Sequence, residues 1–168
     1  MSVELIIATF DNSEDKAGEV LKDLKQARKE GGVFFENAAV IVRTKDDEFK
    51  VNDIEDVDTK HGAVFGAITG GVIGLLGGPV GAVVGAVAGA AAGGATAKLA
   101  DYGVDNKLIE DVEQGLQPGS SALIVFVEVK SVSGAVGMLK RLGATSVSHD
   151  TMKSEVLDEW MQDQEGKD

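Results

Sequence analysis

Residues 62–97 read GAVFGAITGGVIGLLGGPVGAVVGAVAGAAAGGATA. None of these 36 positions is charged, 12 are Gly and ten are Ala. An uncharged run of more than about 18 residues is the usual flag for a transmembrane helix. Gly77-Gly78-Pro79 near its centre is a strong turn signal. The run therefore divides into two arms, Gly62 to Leu76 and Val80 to Lys98. At about 1.5 Å per residue the arms span ~22 and ~27 Å, marginal against a hydrocarbon core of ~30 Å.

The glycines fall in register. Gly62, Gly66, Gly70, Gly74 and Gly78 recur every fourth residue, and Gly81, Gly85, Gly89 and Gly93 do the same beyond Pro79. Positions i and i+4 share a helix face, so each arm carries a stripe without side chains where another backbone can approach closely. This is the pattern of a glycine zipper. Gly costs about 1 kcal/mol relative to Ala in a helix interior, so such helices need compensating contacts. Those contacts come from the other arm, from another copy, or from a bilayer that forces backbone hydrogen bonds to close. A flexible linker would be polar and rich in Gly and Ser. This run has no Ser, and carries Val, Ile, Leu or Phe at eleven positions. Lys60, His61 and Lys98 flank the hairpin on one side, as a cytoplasmic face requires.

Outward from the hairpin, both flanks read as α+β. Val3 to Thr9 is an apolar strand, and Ser13 to Glu30 has helix spacing at Ala17, Val20, Leu21, Leu24 and Ala27, stopped by Gly31-Gly32. Phe34 to Arg43 and Glu48 to Asn52 read as strands around the polar turn Lys45-Asp46-Asp47. After the hairpin, Val104 to Leu116 reads as a helix with Asp105 as cap. Ser121 to Val129 is a strand, Val132 to Leu142 a helix closed by Gly143, and Thr145 to His149 a last short strand.

The flanks resemble each other. At an offset of 118, Leu5-Ile6-Ile7 aligns with Leu123-Ile124-Val125, and Leu21-Lys22-Asp23-Leu24 with Leu139-Lys140-Arg141-Leu142. Two β-α-β halves give an α+β fold of ferredoxin-like type, an antiparallel sheet with helices on one face. The organisation expected is a first half at 1–56, the inserted helical hairpin at 57–103, a second half at 104–150, and an amphipathic helix with an acidic tail at 151–168.

The chain of 168 residues is 43% apolar and 26% charged, which is globular composition. Without Cys it has no disulfide framework, thiolate metal site or cysteine nucleophile. A net charge of −12 disfavours sequence-independent nucleic-acid binding and electrostatic docking on anionic lipid. No secretory h-region follows Met1, so a cytoplasmic start is expected, and neither end carries a lipidation motif.

Leu5–Phe10, Asp56-Val57-Asp58-Thr59-Lys60, Gly62-Ala63-Val64-Phe65-Gly66, Gly74-Leu75-Leu76-Gly77-Gly78-Pro79 and Leu116-Gln117-Pro118-Gly119-Ser120-Ser121-Ala122-Leu123 together look like a bacterial domain-of-unknown-function family of predicted membrane proteins. The resemblance runs from Leu5 to His149. It implies membrane association, no established activity and no catalytic residues.

Catalytic chemistry is sparse. His61 and His149 are far apart, and no HxxxH or HExxH pair offers a zinc site. The glycines form no GxxxxGK[ST] or dinucleotide-binding pattern. Asp53, Glu55, Asp56 and Asp58 cluster before the hairpin, without EF-hand spacing, and read as a solvated face rather than a cation site. In the tail, Met152, Val156, Leu157, Trp160 and Met161 share a helical face. Trp160 and Met161 are candidate interface residues, since Trp is favoured in interfaces; the equal alternative is a helix that caps its own domain.

The function expected is a non-enzymatic structural protein with no cofactor and no metal. Its hairpins build a homo-oligomer at the inner face of the cell membrane. The alternatives are a soluble self-assembling particle subunit, or a soluble module sensing a small-molecule ligand that the sequence leaves unknown.

Overall fold

Val3–Phe10 is buried at every position, and Ser120–Glu128 at every position but its last. A strand with one wet face would alternate between buried and exposed. The sheet these two strands centre is therefore covered on both faces.

The computed structural model describes residues 3–56, 64–76 and 103–152, together with residues 155, 158 and 162. In chain order the elements are β1 (Val3–Phe10), α1 (Lys16–Lys29), β2 (Asn37–Arg43), β3 (Phe49–Asp56), the helix α2 over residues 64–76, α3 (Asn106–Gly115), β4 (Ser120–Glu128), a 3-10 turn (Val129–Ser131), α4 (Val132–Arg141) and β5 (Ser146–Thr151). The strands form one sheet in the order β3-β2-β4-β1-β5, with every neighbouring pair antiparallel.

Residue parity along the strands assigns the two faces. Ile6, Ala8 and Phe10 of β1, with Leu123, Val125 and Val127 of β4, pack under Ala17, Val20, Leu21 and Leu24 of α1 and Ala135 and Leu139 of α4. Val3, Leu5 and Ile7, with Ile124 and Phe126, pack under Val64, Phe65, Ile68, Val72 and Ile73 of α2 and Leu108, Ile109 and Val112 of α3. The α+β class with an antiparallel sheet holds. The expectation of helices on one face does not: α2 and α3 cover the second face.

Local signals set the helix ends. Ser13 Oγ accepts from Lys16 N at 3.2 Å, and Ser121 Oγ of β4 accepts from Ala17 N at 3.1 Å. These bonds satisfy free amides at the start of α1 and tie it to the sheet. Gly31 ends α1 with φ +79°, a conformation that side chains disfavour. Asp105 caps α3 as the sequence indicates, its side chain accepting from Lys107 N at 2.9 Å.

Two strands depart from expectation. β2 begins at Asn37, not Phe34, because Phe34 lies exposed in the preceding loop while Phe35 is buried beneath the Arg28 guanidinium. β3 runs on to Asp56, past the expected end at Asn52. The register steps from Ile41 opposite Val51 to Val40 opposite Asp53, so Asn52 is a bulge. The extra residue moves the following side chains to the other face and hides the strand's continuation from a simple alternation test.

Candidate functional site

The hairpin is the feature the sequence marks most strongly, and its first arm is a core helix. Val64, Phe65, Ile68, Val72 and Ile73 are buried against the sheet. Phe65 meets Phe126 edge to face, with ring centroids 4.9 Å apart and planes at 74°. These side chains recur at helix spacing and hold one side of α2 down. The glycine register at 66, 70 and 74 falls on the opposite side. Gly70 is buried there, and Gly66 and Gly74 are half-buried.

The expected first arm thus lies on its own domain. No helix among the described residues is long and apolar enough to cross a membrane. Gly62, Gly78, Gly81, Gly85, Gly89 and Gly93, the turn Gly77-Gly78-Pro79, His61 and Asp58 lie outside the described residues, as do Trp160 and Met161. Of the tail, Met152 is buried in the core under α2 and α3, and Glu155 and Asp158 are exposed.

Where α2 and α3 meet over β1, an aliphatic crevice is lined by Ile7, Val72, Leu75, Leu76, Val104, Leu108, Ile109 and Val112. Its walls lie too close together to hold a small molecule. It has the character of a packing seam, not of a ligand site.

Three clusters of hydrogen-bonded polar side chains stand out among the described residues. Glu4 is buried on β1; Thr151 Oγ1 donates to its Oε1 at 2.6 Å, and His149 Nδ1 lies 3.2 Å from its Oε2. Sequence places His149 at the end of a strand but gives no sign of this partner, which is 145 residues away. Lys25 of α1 reaches the end of β3, with Nζ 2.6 Å from Glu55 Oε2 and 3.8 Å from Asp53 Oδ2. Arg28 Nη2 adds a contact to Glu55 at 3.5 Å. The hydrogen bond from Lys25 holds the Glu55 carboxyl below the usual carboxylate range, against the opposing effect of burial. The same bond raises Lys25. At the third, on α3, Asp111 is lowered by its bond from Lys107 and then by the 2.9 Å bond from Ser148 Oγ.

The acidic run before the hairpin is accordingly split: Asp53 and Glu55 are anchored by α1, and Asp56 pairs through the backbone with Asn37. No group of three or more His, Asp or Glu among the described residues could hold a metal ion.

The profile of a protein family of unknown function, DUF1269, matches residues 63–161, more than half of the chain. The chain belongs to this family. The DUF1269 match opens at α2 and runs through α3, β4, α4 and β5. No curated protein matches the chain, and no solved structure does.

The core role of α2 was open to discovery in the sequence. Val64, Phe65, Ile68, Val72 and Leu75 have the spacing of an amphipathic helix on a core. The glycine register in the same residues points to the other side of that helix.

Proposed function

We propose that this DUF1269 protein is a non-enzymatic structural protein that assembles with copies of itself through its glycine-rich hairpin. One observation carries the reading. The sheet takes up the apolar side of α2, and the Gly66, Gly70 and Gly74 register lies on the opposite side of the same helix. A helix held by one face and smooth along the other suits close backbone packing.

The frame on which the hairpin sits is, in this reading, ferredoxin-like. The order β2-β4-β1-β5, with α1 and α4 on one face, supports two β-α-β halves. β3, α2, the second arm and α3 then form the insertion between them. We further propose contact with the inner face of the cell membrane. It falls to the second arm, because the apolar side chains of the first already lie in the domain core.

Size-exclusion chromatography with light scattering on the full chain tests the assembly. The wild type should elute as a defined oligomer, and Gly70→Leu combined with Gly85→Leu should reduce it to monomer with its far-UV circular dichroism retained. Normal assembly by the folded double variant would remove the hairpin from the interface. Fractionation of lysate with high-salt and alkaline washes tests the membrane contact, which requires the protein to stay in the pellet.

A further inference from the structure

Glu4 shares its side of β1 with Ile6, Ala8 and Phe10, which lie in the apolar layer under α1 and α4. It is 7% exposed. A carboxylate in such a place is costly unless its oxygens are paired. Both oxygens find their partners on one strand. Thr151 Oγ1 of β5 donates to Oε1 at 2.6 Å, and His149 Nδ1 of β5 lies 3.2 Å from Oε2. β5 is an edge of the sheet, with β1 as its one neighbouring strand.

The two partners differ in kind. The Thr151 hydroxyl is a neutral donor at every ordinary pH. The His149 ring is not fixed in this way: when neutral it donates from Nδ1 in one tautomer only, and when protonated it donates from both nitrogens and carries a charge. Histidine is the side chain whose charge changes between about pH 5 and 8. The His149 side chain is 48% exposed, so protons reach it from solvent while β5 stays in place.

The surrounding charges leave Glu4 as the group that meets this change. It is the only charged residue of β1. At the same end of the sheet Glu128 and Lys130 pair with each other, Nζ to Oε2 at 2.5 Å. α4 carries charge only at Lys140 and Arg141, in its last turn. On the other face of β5, Asp111 accepts from Lys107 and Ser148, and Asp150 accepts from the Asp105 amide.

We propose that Glu4 and His149 form a clasp on β5 that tightens in weak acid. Protonation of His149 makes its contact with the buried carboxylate a charge-assisted hydrogen bond, and that bond exists only while β5 is docked on β1. Proton binding therefore favours the docked strand, and the gain is lost as pH rises and the proton leaves. More than six residues depend on it. Through Asp150 and Ser148, β5 holds the start and middle of α3, and Met152, directly after β5, is buried under α2 and α3 with its amide on Val3 O. Opening of β5 would free the hydrogen-bonding edge of β1 and loosen α3. The clasp lies at the sheet edge and does not rest on the hairpin.

Met152 N donates to Val3 O, so in this register the Ser148 and Asp150 amides also face β1. Their native-state hydrogen exchange in the full chain, read by NMR at pH 5.5 and 7.5 and corrected for intrinsic rates, tests the clasp. Protection in the wild type should be about 1.5- to fivefold higher at pH 5.5, the range of a part-exposed ion pair. His149→Gln keeps amide donors beside Glu4 but gains no charge, and should abolish the rise. Glu4→Gln, which keeps the shape of the side chain, should abolish it too. His61→Gln, at the only other histidine, should retain it. Equal wild-type protection at the two pH values would overturn the proposal. A rise that survives either His149→Gln or Glu4→Gln would do so as well, by assigning the proton to another group.

Discussion

Gly115 and Gly134 show how much a single helix position depends on what surrounds it. A Cβ on Gly115 would stand 2.6 Å from Thr9 Oγ1 and 2.9 Å from Thr9 Cγ2, in the buried contact between α3 and β1. A Cβ on Gly134 of α4 would meet nothing within 4 Å. Gly115→Ala should therefore destabilise by about 1–3 kcal/mol through overpacking, with Thr9→Ala relieving part of the loss. Gly134→Ala should stabilise by up to about 1 kcal/mol. Urea unfolding midpoints read both, and equal effects of like sign would show that this contact is misjudged. The Lys25–Glu55 pair makes a second prediction at this scale. Glu55 titrates lower in the folded chain than its usual 4.5, so its contribution is complete above that value and is lost as pH falls through the folded one. Lys25 titrates higher than its usual 10.5, so its share is complete below that value and is lost as pH rises through the folded one. Both side chains are part-exposed, so the pair contributes only about 0.2–1 kcal/mol. Glu55→Gln should lower the urea midpoint at pH 7 by that small amount, and its curve should rejoin wild type in acid. A constant gap down to strong acid would assign the loss to packing.

Among the elements, α2 separates what the sequence discloses from what it conceals. Apolar periodicity locates α1, α3 and α4 to within a few residues, since each has one face on the sheet and the other in water. β1 and β4 are legible as strands, yet their unbroken apolar runs also carry a message about layers: only a sheet covered on both faces buries both parities. The bulge at Asn52 conceals the second half of β3 because it resets the alternation on which the reading depends. The Glu4–His149 contact is beyond local pattern altogether, since it needs the β1–β5 pairing to bring the residues together. For α2, glycine periodicity and apolar periodicity coexist in the same residues, and the first draws attention from the second. The decisive substitution is Phe65→Ala. If α2 is a core helix, loss of the buried ring and its contact with Phe126 should cost about 3–5 kcal/mol of unfolding free energy. A hairpin standing clear of the domain would leave the unfolding midpoint within about 0.5 kcal/mol of wild type, the usual range for surface positions.

For the whole molecule, the sheet imposes a dependence that the DUF1269 match does not display. β4 and β5 fall within residues 63–161, but β1, which lies between them in the sheet, falls before residue 63. The matched region therefore shares the hydrophobic clusters on both faces of the sheet with the strands that precede it. Charge acts at the same scale. Each chain carries a formal charge of −12, so the proposed gathering of copies through an uncharged hairpin would have to overcome mutual repulsion. The screening length falls from about 30 Å at 0.01 M salt to about 8 Å at 0.15 M. If the hairpin drives assembly, the mass read by light scattering at fixed protein concentration should rise across that range and then level off. Gly70→Leu with Gly85→Leu should remove the rise. An interface built on ion pairs responds the other way, because salt weakens the attraction that holds it. Dissociation on adding salt would therefore place the contact between copies on the charged surface of the domain and away from the hairpin.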